Sequence, residues 1–236
     1  MTERLAAVLW DFAHTLMAPE APEQWLSAAL DSAQVTAPDA EVLAWAERAA
    51  AAGFPCPVTP TDLTLRERTA WRHRAIDPDL HRAVYQRLLE TAGLPWPSAA
   101  SALYHRHMTA AGWDPYPDAL PVLDALRAAG VRCAVVSNIG WDIRGPLGNA
   151  GILDRMDAVV CSYEVGIRKP DRRIYAIACD RLQVDPVTSS VIMVGDSRRS
   201  DTGGEILGIR TLLVDKAPPA LRPRGLMSAL ATAGIA

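Results

Sequence analysis

Lysine is the scarcer of the two strongly basic residues in this chain. Only Lys169 and Lys216 are lysines, and the rest of the 24 lysine and arginine residues are arginines. Any chemistry that needs a lysine amine therefore has two candidates. Basic residues do not outnumber acidic ones, because 27 aspartates and glutamates leave a formal net charge of -3. A chain without a basic excess lacks the electrostatic footprint of nucleic-acid binding, so we expect no nucleic-acid partner.

Long apolar runs and closely spaced cysteines are missing as well. No stretch is apolar over enough residues to cross a membrane, and residues 1–4 do not have the pattern of a signal peptide. The four cysteines show no spacing that is typical of a metal site. Isolated cysteines of this kind are typical of small buried side chains in a reducing compartment. We expect a cytoplasmic protein without a membrane partner, and these features leave its oligomeric state unknown.

The first predicted strand ends at an aspartate. Residues 5–10 form a near-continuous apolar run, and Asp11 follows it. Such a run is typical of a strand that is covered on both faces, as in a parallel sheet. Further strands are predicted at residues 131–137, 156–162, 190–196 and 211–215. Because these strands alternate with helical segments, the sequence predicts an α/β fold with a parallel sheet flanked by helices.

Helical periodicity replaces the strand pattern between about residues 23 and 111. One of the short helices predicted there is rich in arginine and begins at Thr61-Asp62. After the insertion, a short helix is predicted at residues 203–208, and another helix is expected on the surface beyond Pro218. Since the first strand belongs to the same sheet as the later ones, the helical region is an insertion. The predicted parts are a core, residues 1–17 and 113–236, and an inserted all-helical cap, residues 18–112.

Polar side chains end several of the predicted strands. Asp11 follows the first strand, Ser137 ends the second, and Asp196 ends the fourth. Lys169 precedes a helix, and Asp201 comes shortly after the fourth strand. The carboxyl ends of parallel strands meet at one edge, where open α/β sheets bind ligands. Several carboxylates around a lysine favour a hard divalent cation such as Mg²⁺, and together they are suited to phosphoryl transfer through an aspartyl-phosphate.

Four motifs occur in the same order as in a known superfamily. They are Asp11-Phe12-Ala13-His14-Thr15-Leu16, Ser137-Asn138, Lys169-Pro170-Asp171 and the segment 194–204 with Asp196 and Asp201. In these motifs the chain resembles the haloacid dehalogenase (HAD) superfamily, in particular members with a helical cap inserted after the first strand. The resemblance covers residues 5–16 and 117–214, and it implies a Rossmannoid HAD core.

The resemblance implies a catalytic role for each matching residue. Asp11 is expected to be the nucleophile that becomes phosphorylated. Ser137 is expected to bind a phosphoryl oxygen, and Lys169 to neutralise charge on the nucleophile and the phosphoryl group. Thr15 would orient the loop after the first strand, and Asn138 would touch the substrate.

The resemblance also implies a Mg²⁺ site. Its expected ligands are Asp11, Asp196 and the backbone carbonyl of Ala13. Asp201 is expected behind them, near Lys169 or a metal-bound water. The substrate implied by this set is a small anionic, phosphorylated molecule.

Ala13 departs from the pattern of the superfamily. HAD phosphatases usually have an aspartate two residues after the nucleophile, which protonates the leaving oxygen and later deprotonates the attacking water. General acid–base catalysis typically accelerates a reaction by about 10²–10⁴-fold, so a phosphomonoesterase without this group is expected to be slow. The next residue, His14, replaces the usual glycine and carries a side chain suited to proton transfer.

Four interpretations of Ala13 remain open. In the first, His14 or a cap histidine supplies the proton function; the cap candidates are His73, His81, His105 and His107. In the second, the substrate has a good leaving group, such as that of an acyl phosphate. In the third, the chemistry is not phosphate-ester hydrolysis. In the fourth, catalysis is impaired and the chain binds a phosphorylated ligand or a protein partner.

The third interpretation is the least favoured. Phosphonoacetaldehyde hydrolases also have alanine at this position, but they need a cap lysine, and no lysine precedes Lys169. Haloacid dehalogenases usually have a tyrosine there and do not need Mg²⁺, whereas Asp196 and Asp201 favour a metal-dependent enzyme. We therefore predict a Mg²⁺-dependent phosphatase of a small metabolite.

The predicted cap offers one group of cations for the substrate. Arg66, Arg68, Arg72 and Arg74 cluster in its arginine-rich helix. Arg72 is the candidate for binding an anionic group through its guanidinium fork. A solvated arginine face is the alternative.

Overall fold

The structure is a computed structural model that describes residues 4–56 and 63–235. Its strands are β1 (Leu5–Trp10), β2 (Met17–Pro19), β3 (Trp113–Pro115), β4 (Arg132–Ser137), β5 (Ala158–Cys161), β6 (Ser190–Gly195) and β7 (Arg210–Leu213). Its α-helices are α1 (Pro22–Ser32), α2 (Asp39–Ala51), α3 (Leu65–His73), α4 (Pro78–Thr91), α5 (Ala100–His107), α6 (Ala119–Ala128), α7 (Arg144–Asn149), α8 (Ser162–Val165), α9 (Arg172–Arg181), α10 (Arg198–Asp201) and α11 (Gly225–Thr232).

One parallel sheet organises the core, with strand order β5-β4-β1-β6-β7. Side chains of β1 alternate between two apolar clusters. Val8 and Trp10 pack with residues of α6 and α11, and Ala7 and Leu9 pack with residues of α9. Because both faces of β1 are buried, its sequence is apolar at every position rather than at alternate ones. The predicted parallel sheet flanked by helices is confirmed.

Helices α1 to α5 form a separate unit, which we call the helical block. They enclose their own apolar cluster, in which Trp25 and Trp45 are completely buried. Helix α3 begins with a capping box, since Thr64 accepts from the N–H of Glu67 and the Glu67 carboxylate accepts from the N–H of Thr64. The predicted start of this helix at Thr61-Asp62 lies outside the described residues, and the observed helix begins at Leu65.

A short antiparallel ribbon of β2 and β3 lies where the chain enters and leaves the helical block. The sequence pattern predicts no strands there, because three residues with a proline in each strand show no periodicity. Arg106 forms a bidentate ion pair with the buried Glu20 beside this ribbon, with both distances 2.7 Å. The ribbon therefore joins the two ends of the block at the position of the predicted core–cap boundary.

Two predicted elements differ from the structure. The helix beyond Pro218 is α11, but it is not a surface helix throughout, because Leu226 and Leu230 are buried against the core. The short helix predicted at residues 203–208 is a 3₁₀ turn over Thr202–Leu207. No helix in the described ranges has both the length and the apolar composition needed to span a membrane.

Candidate active site

The site forms at the carboxyl edge of the sheet, around Lys169. The ammonium group of Lys169 lies 2.8 Å from Oδ1 of Asp11 and 2.7 Å from Oδ1 of Asp201. The Lys169 side chain is 1% exposed and that of Asp201 is 0% exposed. Burial by itself lowers the pKa of Lys169, but the carboxylates of Asp11 and Asp201 outweigh it and raise that pKa above its usual range. Lys169 is therefore a permanently charged bridge between two carboxylates.

Backbone geometry fixes Asp201 in this bridge. Its second carboxylate oxygen accepts a hydrogen bond of 2.8 Å from the N–H of Ser197. A Cβ at position 195 would overlap the Asp201 carboxylate, so only glycine fits there. Gly195, which ends β6, thus lets the carboxylate approach the strand. This close approach gives a physical reason for the glycine in the Gly195-Asp196 motif.

Asn138 holds the backbone of Lys169 rather than reaching into open space. Its side-chain amide donates to the carbonyl of Lys169 at 2.9 Å, and its side-chain oxygen accepts from the N–H of Lys169 at 2.7 Å. Ser137 is buried at the end of β4, next to Asn138. The amide predicted to touch substrate is thus committed to fixing the loop that carries Lys169, although Asn138 also lines the cavity described below.

Three carboxylates cluster at this edge. One oxygen from each of Asp11, Asp196 and Asp201 lies within 4.8 Å of the others. The ammonium group of Lys216, whose side chain is 62% exposed, lies 2.9 Å from Oδ2 of Asp196. When all three carboxylates are ionised they face two ammonium groups, and one negative charge is in excess. Burial, against the opposing effect of Lys169, raises the pKa of Asp11 to about 7.

The donor set fits a hard divalent cation. Its members are carboxylate oxygens, which Mg²⁺ prefers, and the excess negative charge would be neutralised by such an ion. The carbonyl of Ala13 is available as a further ligand, since it accepts no backbone hydrogen bond within the described ranges. Lys216 follows β7 by three residues, so its position after a strand end is the sequence signal that places it at this site.

The loop after β1 is clamped by Arg222, a residue that belongs to no sequence motif. His14 has a positive φ of 58°, and its N–H donates to the carbonyl of Met17 at 2.7 Å. The buried guanidinium of Arg222 donates to the carbonyls of His14 and Thr15 at 2.6 and 2.7 Å. The guanidinium carbon lies 3.3 Å from the centre of the Tyr116 ring. Arg222 thereby fixes the loop that follows the candidate nucleophile.

Thr15 takes part in this clamp through its backbone. Its side-chain hydroxyl is buried and has no hydrogen-bond partner among the residues that the structure describes. The Thr15 carbonyl contacts Arg222 in this loop, and the orienting role predicted for Thr15 stays a prediction. No sequence pattern pointed to Arg222, because it lies 207 residues from Thr15.

A cavity of about 480 Å³ lies between the helical block and the carboxyl edge of the sheet. The core side is lined by Ala13, His14, Trp113, Asn138, Ile139, Gly140, Trp141, Ser197 and Lys216. The block side is lined by Cys56, Trp71, Arg74, Ala75, His81, Val84, Tyr85, Leu88 and His107. Of the sequence-predicted residues, Arg72, His73 and His105 are exposed and do not line the cavity. Arg74 takes the place in the cavity wall that was expected of Arg72.

Three histidines line the cavity in their neutral form. Burial lowers the pKa of His14, and it lowers the pKa of His81 to about 4 and that of His107 to about 3. Only His14 belongs to the core wall and to the loop of the candidate nucleophile. It is the imidazole that the structure places beside Ala13.

A family model for haloacid dehalogenase-like hydrolases matches residues 5–204 of this chain. The chain belongs to the haloacid dehalogenase-like hydrolases. Its fold is similar to that of the magnesium-bound HAD-hydrolase YfnB of Bacillus subtilis, with a TM-score of 0.62 and 15% identity, covering 99% of this chain and 100% of that one. At this level of identity the likeness concerns the fold alone.

Curated relatives of this HAD-like hydrolase include both dehalogenases and phosphatases. The chain is 36% identical over 102 residues to (S)-2-haloacid dehalogenase 1 of Pseudomonas sp. (strain CBS-3), covering 43% of this chain and 44% of that protein. It is 36% identical over 110 residues to the phosphoserine phosphatase of Thermus thermophilus, covering 46% of this chain and 42% of that protein. The chain thus matches less than half the length of either relative, and the two differ in the reaction that their names describe.

Proposed function

We propose that this HAD-like hydrolase is a Mg²⁺-dependent phosphatase of a small phosphorylated metabolite, with Asp11 as its nucleophile. The observation that carries the proposal is the ion-pair bridge from Asp11 through Lys169 to Asp201, next to Asp196. A nucleophilic carboxylate, a buried lysine and a surplus of carboxylates are what phosphoryl transfer to an aspartate requires. We further propose that residues 18–112 act as a cap over a core of residues 1–17 and 113–236, since the cavity lies between the two.

Asp11, Asp196 and the carbonyl of Ala13 would hold the ion, with Asp201 behind them. When bound, Mg²⁺ supplies positive charge that polarises the phosphoryl group. Asp201 contributes indirectly, because its carboxylate is already shared by Lys169 and the N–H of Ser197. Lys216 would give up part of its contact with Asp196 when the ion binds.

The residues of the chain account for the two chemical steps. The Asp11 carboxylate attacks the phosphorus atom, the bond to the leaving oxygen breaks, and an aspartyl-phosphate forms. Lys169 compensates the charge on Asp11 and the phosphoryl oxygens, and Ser137 donates a hydrogen bond to one of those oxygens. Water then attacks phosphorus, which releases phosphate and restores the carboxylate.

The proton steps lack the usual aspartate, because Ala13 carries no titratable group. His14 lies next to it on the cavity wall, and we assign to its imidazole the proton of the attacking water. No comparable group is assigned to the leaving oxygen. Substrates whose leaving group departs without a proton, such as acyl phosphates, are therefore expected to react faster than simple esters.

The test compares phosphate release from acetyl phosphate and from 4-nitrophenyl phosphate, with Mg²⁺ and with excess EDTA. We expect turnover of acetyl phosphate that requires Mg²⁺ and that the Asp11→Asn variant lacks. The matched control is Asp180→Asn, which changes an exposed aspartate on α9 and should keep the wild-type rate.

Three results would contradict the proposal in different ways. Full activity of Asp11→Asn would remove the nucleophile assignment. Halide release from a 2-haloacid without phosphate release would favour a dehalogenase, as in one of the curated relatives. Binding of a phosphorylated ligand without any turnover would favour the catalytically impaired alternative.

A further inference from the structure

Arg74 is a half-buried cation that no carboxylate in the described part of the chain compensates. It follows α3, and its guanidinium carbon lies 3.5 Å from the centre of the Trp71 ring while Nη1 donates to the Trp71 carbonyl at 2.6 Å. None of the ion pairs formed among residues 4–56 and 63–235 includes Arg74. Burial, with a further contribution from Arg168, lowers its pKa to about 10. A desolvated charge is costly unless a counter-ion reaches it, and the open side of Arg74 is the cavity.

The backbone around Arg74 is anchored to the loop that follows Ser137. A Cβ at position 140 would overlap the carbonyl of Arg74 and the side chain of His81, so Gly140 allows the block to sit directly on this loop. The hydroxyl of Ser162 donates to the carbonyl of Ala75 and accepts from the N–H of Ile139 at 2.9 Å. These contacts hold the backbone of Arg74 against the loop that follows Ser137, with its side chain in the cavity wall.

Aromatic side chains form a large part of the cavity wall that Arg74 shares. Trp71, Tyr85, Trp113 and Trp141 supply aromatic surface, and Val84 supplies aliphatic surface. His81 and His107 add two further rings, which are uncharged because burial lowers their pKa to about 4 and about 3. Arg74 is the one charged side chain that the described part of the helical block contributes to this lining. A flat group fits against these rings, and the cation favours a group of opposite charge at its end.

We propose that the substrate of this site joins its phosphoryl group to a flat apolar body that ends in a carboxylate, and that Arg74 binds this carboxylate. The guanidinium fork matches the geometry of a carboxylate and binds it with two parallel hydrogen bonds. This assignment rests on the proposed phosphatase function and names its substrate class.

The experiment compares 4-carboxyphenyl phosphate with its uncharged counterpart, 4-carbamoylphenyl phosphate, in the presence of Mg²⁺. For the wild type we expect a kcat/KM about tenfold or more higher for the carboxylate, because a hydrogen bond to a charged group is worth that factor. Arg74→Gln should abolish the preference, mainly through KM. Arg72→Gln is the matched control, since Arg72 is exposed and outside the cavity lining, and it should keep the preference.

A binding measurement separates this inference from the proposed function. Tryptophan fluorescence measures the binding of 4-hydroxybenzoate and of 4-hydroxybenzamide to three proteins. They are the Asp11→Asn single variant, the Asp11→Asn/Arg74→Gln double variant and the Asp11→Asn/Arg72→Gln double variant. We expect 4-hydroxybenzoate to bind more tightly than 4-hydroxybenzamide to the two proteins that retain Arg74. The protein with Arg74→Gln should bind the two phenols equally. If this pattern holds while no phosphate is hydrolysed, the proposed function fails and the role of Arg74 stands.

Two outcomes would overturn the inference. One is a wild type that hydrolyses both phosphates with equal kcat/KM and binds both phenols equally. The other is an Arg74→Gln variant that lowers activity on both substrates by the same factor, as expected of a structural residue. A thermal melt of each variant shows whether a loss arises from unfolding, and Arg74→Lys, which keeps the charge, should retain part of the preference.

Discussion

The two walls of the cavity are built in opposite ways. On the core side, behind the residues that line the cavity, charged groups neutralise one another at fixed distances, as Lys169 does with Asp11 and Asp201. On the side of the helical block, neutral rings surround one cation, Arg74, which has no counter-ion among the described residues. A balanced network suits a reaction that must run in the same way for every substrate. A single unpaired cation among neutral rings is suited to discriminating between substrates by their charge.

The difference has a structural origin. The core residues lie at strand ends, where the parallel sheet brings Asp11, Ser137 and Gly195 to one edge. The residues of the block wall come from separate helices that pack their apolar sides together. Changes in the core wall should therefore affect turnover of all substrates, and changes in the block wall should affect discrimination or stability.

The largest effect is expected at Lys169. In Lys169→Met, two buried carboxylates lose their shared cation, and breaking a buried pair in this way costs about 3–5 kcal/mol of stability. Turnover should fall by about 10²–10³-fold or more for every phosphate tested, because charge compensation at the reacting group is lost. Urea unfolding and initial rates measure the two effects.

Lys216→Met is the control for stability, because Lys216 is an exposed lysine that pairs with a single carboxylate. Because the ammonium group of Lys216 is 62% exposed and its pairing is screened by solvent, this variant should lose less stability in urea than Lys169→Met, although the Asp196 side chain is only 6% exposed. Equal destabilisation by the two substitutions would show that the buried bridge is not the source of the effect.

A smaller effect, and a gain, is expected at Ala13. Ala13→Asp restores a carboxyl group on the cavity wall, where Ala13 already faces open space. We expect turnover of 4-nitrophenyl phosphate to rise by about 10²-fold, the lower end of what general acid–base catalysis supplies. Acetyl phosphate should gain little, because its leaving group needs no proton. The ratio of the two rates is the measurement.

Ala13→Asn is the control for the shape of the new side chain, and it should not raise the ester rate. If Ala13→Asp also leaves the ester rate unchanged, another group, with His14 first among the candidates, already performs the proton transfer. In that case the core would already contain a complete set of catalytic groups, and the block wall would be needed only for substrate selection.

At neutral pH, the smallest effect is expected in the block wall, at His107, where the effect on stability develops only as the pH falls. Its pKa falls from an ordinary 6.5 to about 3 in the folded protein, so the unfolded chain binds a proton that the folded one does not. Stability is therefore complete above about pH 6.5 and decreases as the pH falls, by about 1.4 kcal/mol per pH unit for this one group. His107→Phe should remove this part of the slope when urea unfolding is measured between pH 6.5 and pH 4.

His105→Phe is the matched control, because His105 lies on the same helix and is exposed. It should leave the pH dependence of unfolding as it is in the wild type. If the free energy of unfolding depends on pH in the same way for the wild type, His107→Phe and His105→Phe, then His107 takes up its proton in the folded protein. The block wall would then tolerate a charged imidazole.

The sequence predicted the core wall better than the block wall. Asp11, Lys169 and Asp196 could be found because strand ends in a parallel sheet must meet, and the structure places them together. Arg74 could not be separated from Arg72, since both lie in one arginine-rich segment and only the end of α3 at His73 decides which faces the cavity. Hydrophobic periodicity predicts which side chains share one face of a helix, but it does not predict the orientation of a residue in the loop that follows.

Contacts between distant segments were beyond prediction for the same reason. Arg222 belongs to no motif, and its role follows from where β7 and the next turn bring it. The ribbon of β2 and β3 was missed because each strand has three residues. In both cases the tertiary structure creates the feature, and the local sequence carries no trace of it.

The clamp formed by Arg222 also bears on how the protein is made. Arg222 and the His14 carbonyl that it binds are 208 residues apart. At about 5–20 residues per second, a ribosome needs about 10–40 s to travel between these two points. During that interval the nascent chain already contains Asp11 and the loop after it, but not the guanidinium that holds the loop in place. The loop after β1 is thus clamped late in synthesis, after the residues of all five strands of the sheet have been added to the chain.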